Sequence, residues 1–145
     1  MAAAPLTLQV SRLHPEATLP IQTSESGFDI TCISRCKKGD ATYIYGTGLA
    51  VSIPKGHVGL LVPCSSIYKT VWNMPNAPLI IDAGYHGELK MCLRQTRDET
   101  DRDVKYNKGD RIAQLVIVPI PTIVVEEVLK FDTDGGVDSL ASSGE

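Results

Sequence analysis

Apolar runs in this chain are short, and clusters containing glycine or proline separate many of them. Lys38-Gly39-Asp40, Pro54-Lys55-Gly56, Ala83-Gly84 and Lys108-Gly109-Asp110 punctuate the sequence. Glycine supplies backbone angles that other residues resist, and proline cannot continue a hydrogen-bonded ladder, so such clusters mark turns. Between the turns the apolar period is two rather than 3.6. In residues 88–94, Leu89, Met91 and Leu93 alternate with Glu88, Lys90 and Arg94, the mark of a strand with one wet face. Further strands are expected at residues 7–10, 29–33, 42–45, 49–53, 58–62, 79–81 and 123–129. Residues 111–118 are apolar on both sides, which predicts a strand buried on both faces. Only residues 65–72 suit a helix, and a short one. The mixed-charge run 94–103 reads as a solvated hairpin loop. Many short strands at regular spacing predict an all-β sandwich or barrel.

A chain of 145 residues fits one domain, and 43% hydrophobic with 21% charged residues is ordinary globular composition. At this size roughly 70% of the unfolded chain's surface is buried on folding, so no disulfide or metal staple is required. The net charge of −3 argues against nonspecific nucleic-acid binding, which uses clustered Lys and Arg to displace counterions. The first ten residues lack a basic segment followed by an apolar stretch, and no window approaches a bilayer span. An intracellular protein, cytoplasmic or nuclear, is expected. Cys32, Cys36, Cys64 and Cys92 show no zinc-finger spacing and read as reduced structural thiols. Residues 132–145 are rich in Gly, Ser and Asp, too apolar-poor to order without a partner. The expected organisation is a β-barrel domain at 1–131 and a flexible C-terminal arm at 132–145.

Several residues have chemistry suited to a site. Asp82 ends an apolar strand just before a glycine turn, where a carboxylate can take a proton from water as a general base. Tyr85 follows three residues later. Asn76 precedes the same strand and carries donor and acceptor on one amide. Ser65, Ser66 and Gln114 can hydrogen-bond phosphate oxygens without carrying charge. Each also has a plain reading: a turn aspartate, a half-buried tyrosine, a turn asparagine. His14, His57 and His86 offer a base for a serine nucleophile, but no Gly-x-Ser-x-Gly elbow surrounds Ser65. No Gly-x-x-x-x-Gly-Lys-Ser loop is present, which argues against a P-loop enzyme.

Four segments, in order, resemble the trimeric dUTPase family. Ser26-Gly27-Phe28-Asp29-Ile30 is similar to the family's Ala-Gly-Tyr-Asp-Leu, and Pro63-Cys64-Ser65-Ser66 to Pro-Arg-Ser-Ser. The run from Asn76 through Asp82, Tyr85 and Glu88 resembles the third motif. Gly109-Asp110-Arg111-Ile112-Ala113-Gln114-Leu115 matches the fourth almost letter for letter. The resemblance implies a distorted jelly-roll β-barrel, a homotrimer with sites between subunits, and hydrolysis of dUTP to dUMP and pyrophosphate. It makes Asp82 the base that activates water against the α-phosphorus. Tyr85 becomes the residue that packs on deoxyribose and leaves no room for a 2′-hydroxyl. Asn76 and the hairpin backbone, Ile81 included, would read uracil. Ser65, Ser66 and Gln114 would hold phosphates. Mg²⁺ would ride on the triphosphate, with Asp29 supporting it through water.

Two departures from the family remove positive charge. Cys64 stands where the second motif carries Arg. The C-terminal motif, Arg-Gly-x-x-Gly-Phe-Gly-Ser-Thr-Gly in the family, runs here from Gly135 to Gly144, with Gly135 at the Arg position and Leu140 at the stacking aromatic. Ser142 and Ser143 keep the hydroxyl-rich end that wraps the γ-phosphate. Each lost charge-assisted contact is worth roughly 1.5–3 kcal/mol. Together they would slow turnover by about two to four orders of magnitude. Lys55, Lys69 and Arg111 are candidates to compensate. The alternative is a catalytically weak, dUTPase-derived nucleotide-binding or regulatory protein. A related dCTP deaminase is less well matched by Asp82 and Cys64-Ser65-Ser66.

Overall fold

The structure, a computed structural model, describes residues 4–132. Among these, ten strands form three antiparallel sheets: β1 (Gln9–Arg12) with β5 (Leu49–Ser52); β2 (Phe28–Thr31), β10 (Arg111–Pro119), β6 (His57–Pro63) and β8 (Leu79–Ile81) in the order β2-β10-β6-β8; and β3 (Ser34–Lys37), β4 (Thr42–Gly46), β9 (Lys90–Gln95) and β7 (Trp72–Asn73) in the order β3-β4-β9-β7. The two larger sheets face each other over one core. Ile30, Leu61, Ile81 and Leu115 project from the first, and Tyr45, Trp72, Met91 and Leu93 from the second. Tyr45 lies opposite Met91 and Tyr43 opposite Leu93 across the β4–β9 ladder. The Trp72 ring meets both tyrosines edge-on, at 5.0 and 6.2 Å between centroids, a favoured aromatic geometry. The all-β reading holds, and the alternation at Leu89, Met91 and Leu93 is the buried stripe it predicts.

β10 differs from its expectation in an informative way. Ile112 and Ala113 are both buried because a bulge interrupts the β2 ladder between Arg111 and Ala113. One extra residue on β10 reverses the alternation, so neighbouring side chains turn inward. Beyond Leu115 the strand is only partly buried. The bulge also sets register, placing Gln114 directly opposite Asp29.

Other boundaries shift. The first strand is Gln9–Arg12, not 7–10, and the helix candidate at 65–72 is a 3-10 turn at Ser65–Lys69. β3 and β7 were not expected from the sequence. β3 is exposed along its length and has no apolar face to reveal it. The strand expected at 123–129 is absent. Ile120 N donates to Gly56 O at 2.7 Å, and after it the segment pairs with no strand among the described residues. Ile123, Val125, Leu129 and Phe131 lie bare to solvent. A β-pattern predicts a strand only where some edge receives it. All four cysteines are free thiols, and no described helix is long and apolar enough to cross a membrane.

Candidate active site

At the Pro63 end of the large sheet, side chains from three neighbouring segments interlock. Cys64 N donates to Ile112 O at 3.0 Å, which ties the turn after β6 to the bulge of β10. Ser65 is exposed at this turn, while Ser66 is partly buried. Gln114 Nε2 donates to Ser26 Oγ at 3.3 Å. Asp29 Oδ2 accepts from Thr23 Oγ1 at 2.8 Å and from the Arg111 guanidinium at 3.1 Å. Gly27 makes this packing possible: a Cβ there would stand 2.7 Å from the Leu115 carbonyl oxygen and 3.1 Å from the Gln114 side chain. The first and fourth motifs therefore meet, with the second beside them. Of the three cations considered as replacements, Arg111 is the one bonded within this cluster. Lys69 Nζ stands 5.7 Å over the Tyr68 ring.

The third motif forms the turn after β8. Asp82 is exposed just beyond the strand, and its carbonyl accepts from Tyr85 N at 3.0 Å. Tyr85 OH donates to Glu88 O at 3.2 Å. The Tyr85 ring lies on Gly87, where a Cβ would sit 2.5–3.1 Å from its atoms. A cavity of about 290 Å³ opens beside it, lined by Leu79, Ile80, Ile81, Tyr85, Glu88, Leu89 and Lys90. Its apolar floor and few polar edges suit a small ligand. Asp82 and Asn76 flank β8 outside this lining, and both are exposed. A larger cavity, about 430 Å³, lies over β1 and β5 and holds none of the predicted substrate-binding residues.

The chain does not bring these two groups together. Pro63 lies opposite Ala113, and Ile81 opposite Gly59. Gly59 and Pro63 are four residues apart on β6, about 13 Å of strand. Ser65 and Asp82 then continue away from each other beyond the two ends. One chain thus carries two half-sites on opposite rims of one sheet. Leu140, Ser142 and Ser143 lie outside the described residues.

A divalent ion held directly by protein would need several clustered ligands. Among the described residues no three His, Cys, Asp or Glu side chains gather as such a site. Both hydrogen-bond partners of the Asp29 carboxylate, Thr23 and Arg111, fall on Oδ2. This fits contact with a hydrated ion through water rather than direct ligation. Sequence reasoning missed Tyr106, which is buried beneath the Ser65 turn and touches both Cys64 and Ser66. A lone aromatic before a Lys-Gly-Asp turn carries no pattern that announces it.

The fold is an all-β structure of two facing four-stranded antiparallel sheets, with an exposed carboxylate at one rim of a sheet and hydroxyl and amide side chains at the other. The dUTPase family model matches residues 16–144. Deoxyuridine 5′-triphosphate nucleotidohydrolase of Rhodococcus erythropolis is 37% identical, over 96% of this chain and 87% of its own length. The Mycolicibacterium gilvum enzyme of the same name is 36% identical, over 95% and 91%. Among solved structures, a dUTPase mutant of Staphylococcus bacteriophage 80alpha with dUpNHpp is similar, with a TM-score of 0.78 and 31% identity over 94% of this chain and 98% of that one. A mutant dUTPase of S. aureus phage phi11, described for its structural Mg(II) ion, has a TM-score of 0.73 and 32% identity over 88% and 100%. The chain belongs to the dUTPase family.

Proposed function

We propose that this chain hydrolyses dUTP to dUMP and pyrophosphate, lowering dUTP and supplying dUMP for thymidylate synthesis. Asp82 takes a proton from a water molecule as that water attacks the α-phosphorus. The bond to the bridging oxygen breaks, and pyrophosphate leaves. Tyr85 presents its ring to the deoxyribose, held in place by Gly87 and the Glu88 carbonyl. Asn76 and the backbone around Ile81 read the uracil edge. The Ser65–Ser66 turn and Gln114 hold the phosphates, with Leu140, Ser142 and Ser143 of the arm closing over them. Asp29 would accept a hydrogen bond from a water on phosphate-bound magnesium, and that ion would supply charge neutralisation for the leaving group. Arg111, whose guanidinium is bonded to Asp29, offsets part of the charge missing at Cys64.

The observation that carries this reading is the hairpin, where the Asp82 turn fixes Tyr85 over Gly87 beside a nucleoside-sized cavity. The separation of the half-sites supports a homotrimer. Asp82 of one copy then meets the Ser65 turn of the next, a head-to-tail contact that closes into a ring. The test is pyrophosphate release from dUTP with Mg²⁺, run beside UTP and dTTP. Release from dUTP alone, abolished in Asp82→Asn, is expected. Equal release from all three nucleotides, or full activity in Asp82→Asn, would sink the proposal.

A further inference from the structure

Beneath the Ser65 turn three polar atoms close a triangle. Cys64 Sγ lies 3.0 Å from Ser66 Oγ and 3.1 Å from Tyr106 OH, and the two oxygens are 3.2 Å apart. Tyr106 is 7% exposed, and burial pushes its phenol pKa up, so it stays protonated. Each of the three groups owns one hydrogen. Cys64 Sγ also lies 3.4 Å from Arg111 O, a third oxygen within reach of its thiol hydrogen. Ser66 Oγ thus has two partners inside the protein, the Cys64 sulfur and the Tyr106 hydroxyl. The two adjacent hydroxyls therefore differ: Ser65 is exposed, and the partly buried Ser66 is bonded to Cys64 and Tyr106.

We infer that Tyr106 is a positioning residue for the phosphate-binding turn, acting through Ser66 and Cys64 to aim Ser65 and the turn's N–H groups at the triphosphate. This rests on the reading of that turn as the phosphate cradle. A turn held from below keeps its donors aligned before ligand arrives, which lowers the ordering cost of binding. Tyr106 follows the charged loop 97–105, and Cys64 N is bonded to the β10 bulge. The phenol thus links loop, turn and bulge at one point. A neutral, preorganised network stands where the family places an arginine.

The experiment measures, by calorimetry on the full-length assembled protein, binding of a nonhydrolysable dUTP analogue with Mg²⁺ and, separately, of dUMP. Tyr106→Phe keeps the ring and removes only the hydroxyl, and its thermal midpoint is recorded alongside. Affinity for the analogue should fall about five- to tenfold, on the scale of one hydrogen bond, while affinity for dUMP stays within twofold. In a Ser66→Ala background, the same Tyr106→Phe change should weaken the analogue by less than twofold, because the path runs through Ser66. Equal losses on both ligands, no loss on either, or an undiminished effect in the Ser66→Ala background would overturn the inference. Wild-type protein that binds the analogue no better than UTP would instead remove the functional reading, and this inference with it.

Discussion

At the Pro63 end of the large sheet, side chains hold one another; at the Ile81 end, they rest on backbone. Ser26, Asp29, Arg111 and Gln114 are joined by hydrogen bonds that cross β2 and β10, and Cys64, Ser66 and Tyr106 by bonds beneath the turn. Asp82 and Tyr85 instead owe their placement to one turn bond, one carbonyl and a missing Cβ at Gly87. The first rim is held by side-chain bonds within one chain. The second presents its groups outward and leaves part of their surroundings to be supplied. The difference matches the proposed tasks: a phosphate cradle gains from rigid donors, whereas a base and a sugar-facing ring work only against the neighbouring cradle.

The sharpest way to break this contrast is Asp82→Asn. Turnover of dUTP should fall by about a thousandfold, within the usual span for a lost general base, while the thermal midpoint stays put, because the exposed carboxylate supports nothing. Steady-state pyrophosphate assays and a melt on the same sample check both halves. Gly87→Ala comes next. The new methyl displaces the Tyr85 ring, so selectivity for dUTP over UTP should drop by about tenfold, read as the ratio of kcat/KM values. Gly27→Ala strikes the interlocked rim: overpacking against Leu115 O should cost about 1–3 kcal/mol of stability, visible in denaturant unfolding, with activity reduced as Gln114 shifts. The smallest effect belongs to Asp103, in the charged loop whose Val104 N donates to Lys69 O at the end of the Ser65 turn. The Arg97 guanidinium and Thr100 hold its carboxyl below the usual carboxylate range. A depressed pKa gives stabilisation that is present above the ordinary value of about 3.9 and fades as pH falls below it. The melting difference between wild type and Asp103→Asn should be small at neutral pH and vanish in strong acid.

Much of the architecture was legible because alternation and turns are local signals. Leu89, Met91 and Leu93 announce their strand, and Gly109 announces the turn before β10. The site's residue types were legible through the ordered motifs. Other features depend on contacts far apart in sequence. Ser65 and Ser66 are alike on paper, and only Tyr106, forty residues on from Ser66, separates their roles. The bulge at Ile112 looks like a doubly buried strand until its register is known. Segment 123–129 has strand composition, yet composition cannot say which edge, if any, will accept it. Cys64 reads as a lost arginine, but in the fold its sulfur is a bonded member of the turn.

The placement of Asp82 and Ser65 at opposite ends of β6 has a genetic corollary. In the proposed ring of copies, each chain would lend its carboxylate to one site and its cradle to another, so defects at the two rims would fall on different catalytic units. A chain inactivated at Asp82 and a chain inactivated at the Ser65 turn, each dead alone, should rescue one another when dissociated and reassembled together. Random mixing at equal amounts rebuilds about a quarter of the sites with both parts intact. Two lesions in the same polypeptide would instead poison a wild-type partner: mixed at equal amounts, only about a quarter of the sites would pair two intact chains, half of what the wild-type chains would give by themselves.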